Sequence, residues 1–220
     1  MSEALYPLLV WLHLLLFTFW LAGDIGGFLL ARHLCKHPAQ SLETRRPLLG
    51  MMAALDVGPA IALALMVPSA LLLLVVGRWW PHMPDWLLAG GTGLGIVWLA
   101  LLWEAHRHPA TPRATRARAV KAVLRWGLAG FFLALGALSL RNGGQPIPPF
   151  LGGKALLFGL ILVVTSLIDL RRPTARLSQA ASGATEAPER AAMDRARLFR
   201  LAVPALLLLA SYIGVAKPGL

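Results

Sequence analysis

The 220-residue chain is 57% apolar and only 14% charged, about half the charge of a soluble domain. Its formal net charge of +11 would suit nucleic acid, but the basic residues stand between long apolar runs and not on one soluble face. That pattern excludes a nucleic-acid partner and asks only for the anionic lipid of a bilayer.

Six segments are predicted to cross the membrane, giving an all-α polytopic bundle that occupies residues 1–220 as one domain. A spanning helix needs about 20 apolar residues at 1.5 Å each. Span one is residues 5–30, span two 48–76 and span three 86–104. Span four, 122–140, has only 15 uncharged residues, Trp126–Leu140, with Arg125 and Arg141 expected to snorkel at its ends. Span five is 150–169 and span six 199–216. The first charge is Glu3 and the run after it is long, so the start is not read as a cleaved signal peptide. Residues 173–196, rich in Ala, Ser and Gly over Gln179–Pro188, read as a flexible cytoplasmic loop. Cys35, the one cysteine, lies beside Arg32 and Lys36 and reads as a free thiol facing the cytosol.

Direction follows from Lys and Arg in the tails and loops, which number 0, 4, 1, 6, 1, 7 and 1 in chain order. The alternation places both termini outside the cytoplasm. A multi-pass protein of a bacterial inner membrane is the expected setting. A second copy or another membrane subunit is a partner class left open.

Ionisable residues inside apolar spans are costly, so each is a functional candidate. His13 and Asp24 share a face of span one, three turns and about 16 Å apart. His13 falls in the outer half and Asp24 in the inner half. Asp56 opens the apolar part of span two at the expected depth of Asp24, where two facing carboxylates can share a proton. Local hydrogen bonds or nearby arginines are the plainer account of both. Pro59 and Pro68 favour bends in span two. Met66 is a soft ligand or a packing side chain. Lys154 in span five matches His13 in depth, and either snorkels outward or holds an anion. Glu104 and Asp169 are expected to pair with Arg107, Arg171 and Arg172 at the inner ends. Gly23-x3-Gly27, Ala22-x3-Gly26 and Gly91-x3-Gly95 allow close helix approach. Nucleotide loops, paired cysteines and an HExxH motif do not occur.

Trp11-Leu12-His13 followed by Trp20-Leu21-Ala22-Gly23, and Phe150 to Phe158 with Lys154 and an Asp169-Leu170-Arg171 end, make a pattern. It resembles the superfamily of copper resistance D membrane proteins and haem-associated protoporphyrinogen oxidases. Gly152 stands where those oxidases carry a His, and the lysine here is on the fifth span and not the third. The resemblance implies a related bundle in which His13 and Lys154 are functional.

The leading expectation is a haem b or copper site near the outer leaflet, possessing redox chemistry or not. His13 would be the ligand, Lys154 a propionate partner and Trp20 a neighbour of the cofactor. Copper would need Met66, His82 or Met83 as well. The second expectation is a proton-coupled transporter of a small solute or metal, working through Asp24 and Asp56. The third is an accessory subunit without chemistry. A pocket beside His13 and Lys154 favours the first, and a water-accessible cavity at Asp24 and Asp56 favours the second.

Overall fold

The computed structural model describes residues 4–37, 41–80, 83–108, 111–171 and 186–217. These form α1 (Leu5–Lys36), α2 (Leu42–Leu55), α3 (Val57–Val76), α4 (Asp85–Arg107), α5 (Pro112–Arg141), α6 (Pro149–Arg171) and α7 (Glu186–Ala216), with no strand among them. Five stretches are long and apolar enough to cross a bilayer: α1, the run Gly50–Val76, α4, α5 and α6. The sixth, in α7, has a shorter apolar part, Leu201–Ala216.

The helices close into a ring. α1 packs on α3, α3 on α4, α4 on α5, α5 on α6 and α6 on α7, and α7 returns to α1. Neighbours run antiparallel, as short connections require. His13 meets Ser69 and Gly23 meets Pro59, so the numbering of α1 rises as that of α3 falls. The same holds for Gly91 with Leu71 and Gly95 with Pro68 between α4 and α3. The start of α1 and the end of α7 therefore lie at one end of the bundle.

Inside the ring sit Trp20, Met66, Trp98, Ile161, Leu162 and Leu207. Trp20 is only 2% exposed and stands edge-on to Phe158 at 6.2 Å, while Phe158 meets Phe132 at 4.8 Å. The outside of the ring shows Trp11, Trp86, Val123 and Val215 exposed. Such apolar surface suits lipid tails. Lipid is as apolar as these side chains, so close packing and not water exclusion must hold the helices together.

The packing is built from prolines set against glycines. Pro59 and Pro68 are nine residues apart, two and a half turns, so they face opposite sides of α3. Each lacks an N–H and frees the carbonyl four residues back, Leu55 and Ala64 respectively. Gly23 of α1 covers the first position: a Cβ there would lie 2.4 Å from the Pro59 ring and 3.1 Å from the Leu55 oxygen. Gly95 of α4 covers the second, with 2.7 Å to the Pro68 ring and 3.1 Å to the Ala64 oxygen. Without a Cβ, the neighbouring backbone comes close enough for Cα–H contacts with the freed carbonyl. Gly23→Ala and Gly95→Ala should each cost about 1–3 kcal/mol by overpacking. Gly93→Ala is the matched control, because nothing lies within 4 Å of its position. Thermal unfolding in detergent should rank the first two well below wild type and leave the third at or above it.

Several expected boundaries change. Span two is one apolar run, Gly50–Val76, but the helix leading into it starts at Leu42, and a turn at Asp56, three residues before Pro59, divides α2 from α3. Span four is not short. Thr111 accepts a hydrogen bond from the Ala114 N–H at 3.2 Å and Pro112 opens the helix, so α5 begins ten residues earlier than expected and carries the basic residues on its first turns. In the expected loop 173–196, residues 186–196 are helical and belong to α7, and 173–185 lie outside the described residues. The Cys35 side chain also lies outside them.

Candidate functional sites on either side of an aromatic plug

The half of the bundle away from the start of α1, which the charge count expects to be the inner one, holds a small polar cavity. Asp24 and Gly27 of α1, Asp56 at the α2–α3 break, Thr165, Ile168 and Asp169 of α6 and Val203 of α7 line it. Its volume is about 40 Å³. A water centre needs roughly 10–15 Å³, so a few waters fit. Asp24 and Asp56 are half-buried and Asp169 is exposed, which puts Asp169 at the mouth. The equal depth expected for Asp24 and Asp56 is thus met by a shared cavity.

Asp169 pairs with Arg125 of α5 at 2.5 Å. This corrects one expectation: Arg125 does not snorkel, its side chain being 7% exposed against 42% for Asp169. The Arg171 and Arg172 side chains, expected as partners of Asp169, lie outside the described residues. Arg107 lies over the Trp103 ring at 4.3 Å. It is not paired with Glu104, whose Oε1 is buried without a hydrogen-bond partner among the described residues.

The outer half holds the second polar group. His13 Nδ1 is 2.8 Å from Ser69 Oγ, and the Ser69 hydroxyl donates to the Met66 carbonyl at 3.0 Å. This half also holds Lys154, whose ammonium fits against Gly214 of α7, where a Cβ would lie 2.8 Å from Nζ, and so forms a compartment on that side of the core. Above it, Trp79 stands edge-on to Phe150 at 5.4 Å, and the Lys217 ammonium sits 5.1 Å from the Trp79 ring centre. Phe150 is one turn outward of Lys154, so this cluster covers the compartment.

Between the two halves lies the plug of Trp20, Phe158 and Phe132. Trp20, expected beside a cofactor, packs in this core, and so does the Met66 side chain, expected as a soft metal ligand. His82 lies outside the described residues. Among the described residues no group of three or more His, Cys, Asp or Glu side chains is arranged to hold a metal ion. Ser69, Gly214, Arg125 and Thr165 were not singled out from the sequence. Only Ser69 left a usable signal there: a lone hydroxyl in an apolar run bonds its own helix or reaches a neighbour.

No protein-family model matches the chain, and no curated protein or solved structure is significantly similar to it.

Proposed function

We propose that the chain is a multi-pass protein of a bacterial inner membrane that carries protons across the bilayer, exchanging them at Asp24 and Asp56. The observation that carries this reading is the water-sized cavity lined by both carboxylates. Intramembrane acids on a wet cavity are the usual elements of proton pathways. The cavity has room for water beside both carboxylates, as proton exchange requires.

The test is a proton-flux assay. Purified protein in liposomes with an internal pH-sensitive dye should collapse an imposed pH gradient when a potassium ionophore balances charge. Protein-free liposomes set the background, and a wild type at that background would sink the proposal.

A haem or copper site at His13 is the second reading. A ligating histidine commonly has its other ring nitrogen hydrogen-bonded, as Nδ1 is here. Lys154 would suit a propionate and would oppose a bare copper ion. Haem would place a Soret band on protein purified after expression with haem supplied, and its absence together with absence of copper would end this reading.

Orientation belongs to the same proposal. Reporter fusions after Arg118 and within Gln179–Pro188 should read cytoplasmic. Fusions after Lys217 and within Gly143–Pro146 should read periplasmic. Moving a basic loop outward opposes the membrane potential by up to about 2.3 kcal/mol per charge per 100 mV. A cytoplasmic reading at Lys217 would contradict the six-span count.

A further inference from the structure

We infer that Asp169 is the port of the polar cavity, passing protons between water at its mouth and water beside Asp24 and Asp56, and that Arg125 holds it in place. The inference rests on the transport reading. Asp24, Asp56 and Asp169 all line the cavity. Asp169 is the exposed one of the three, its side chain 42% exposed, while Asp24 and Asp56 are half-buried. It touches bulk water and the cavity wall at once, so a proton entering by the mouth meets it before the other two.

Asp169 lies two residues from the end of α6, where an ionised carboxylate is best solvated by turning outward. The Arg125 guanidinium turns it inward, with Nη1 donating to Oδ2 at 2.5 Å. Arg125 is in turn placed by the packing of α5 on α6. A Cβ on Gly136 would lie 2.6 Å from the Gly152 oxygen, and one on Gly159 would lie 2.8 Å from the Leu133 side chain. The two helices run antiparallel. Arg125 is eight residues back from Leu133 and Asp169 ten on from Gly159, about 12 Å and 15 Å along the axes, which brings them level. An arginine keeps its proton in a protein, so Arg125 transfers none and is a positioning residue.

Thr165 continues the path. It also lines the cavity, one turn further in than Asp169 and about 6 Å away along the axis. Its hydroxyl donates to the Ile161 carbonyl, so toward the cavity Oγ1 can only accept. A water seated there donates one hydrogen to Thr165 and keeps a lone pair for Asp169. In the inward step an O–H bond of a hydronium at the mouth breaks and a carboxyl O–H bond forms on Asp169. That bond breaks as the held water gains the proton, and the water then gives up one of its own to Asp24 or Asp56. Each bond formed matches one broken, and the water is restored. Asp169 holds the proton only in passing, whereas Asp24 and Asp56 store it.

Proton flux into liposomes carrying an internal pH-sensitive dye tests the port. Asp169→Asn keeps the shape and an oxygen for Arg125 but exchanges no proton, and should lower flux at least about tenfold. Asp169→Glu restores a carboxylate and should recover most of the loss. Thr165→Val, nearly the same size, should slow flux several-fold, and Thr165→Ser should restore it. Arg125→Met should slow flux, and Arg125→Lys, which keeps a cation and a donor, should recover part of it. Full flux in Arg125→Met overturns the positioning role. Full flux in Asp169→Asn or in Thr165→Val, in a preparation where Asp56→Asn stops it, overturns the port and leaves transport standing. The second readout is the rate at which Asp24 and Asp56 take up protons after a light-triggered release, followed by the infrared band of their protonated carboxyls. In Asp169→Asn and Thr165→Val the band should reach its wild-type height, but later. A merely structural role would lower the height and leave the rate, and that result, like equal rates, overturns the port. A wild type at the background of protein-free liposomes overturns transport, and the band rate then decides alone whether Asp169 carries protons to the cavity. No band in the wild type overturns both.

Discussion

Asp24→Asn and Asp56→Asn should each reduce proton flux in liposomes by about a hundredfold or more, the usual scale for removing a group that donates and accepts a proton. Asparagine has nearly the size of aspartate and keeps hydrogen-bonding atoms on the cavity wall, but it cannot exchange a proton at neutral pH. The fold should therefore survive while the exchange stops. Both residues line one cavity from different helices, so the double variant should be little worse than either single one. Equal flux in wild type and in both variants would remove Asp24 and Asp56 from the pathway. Additive losses would mean two separate routes.

The largest stability effect should come from Asp169→Leu, at about 3–5 kcal/mol, followed by Arg125→Met at about 2–3 kcal/mol. The order follows from exposure. Arg125 is the buried partner at 7% and Asp169 the exposed one at 42%. Removing the carboxylate strands a guanidinium whose Nε is already buried without a hydrogen-bond partner. Removing the arginine leaves a carboxylate that water can reach. The double variant Arg125→Met, Asp169→Leu leaves neither charge and should recover most of the loss, because replacing a buried pair with apolar side chains is often near neutral. Chemical or thermal unfolding in detergent reads all three. Equal losses in the two single variants, or no recovery in the double, would mean that this pair is solvated and carries little stability.

Much of this bundle was legible in the sequence, for a physical reason. Uncharged runs bounded by basic clusters are dictated by the bilayer, and they located α1, α4, α6 and the apolar parts of α3, α5 and α7 to within a few residues. The shared cavity of Asp24 and Asp56 followed from depth alone. Depth could not show which way a side chain turns around its helix axis. Arg125 sits at the edge of an apolar run, where snorkelling and inward pairing have the same sequence pattern, and only the rotation of α5 against α6 decides. Trp20 has the same ambiguity between lining a site and filling a core. The pairing of Pro59 with Gly23 and of Pro68 with Gly95 was hidden because each residue was visible singly, while their contact depends on how α1 and α4 slide against α3. The early start of α5 had a local signal, Thr111-Pro112, which the search for apolar spans passed over.

Infrared difference spectroscopy of the reconstituted protein, recorded across a pH step, tests most directly whether Asp24 and Asp56 exchange protons with water. Protonated carboxyl groups in an apolar setting absorb apart from carboxylates and from the amide backbone. Acidification of the wild type should produce a carboxyl band that weakens in Asp24→Asn and in Asp56→Asn and is lost in the double variant. A wild-type spectrum that matches the double variant at every pH would show that neither carboxylate takes up a proton, and would contradict proton transport through this cavity.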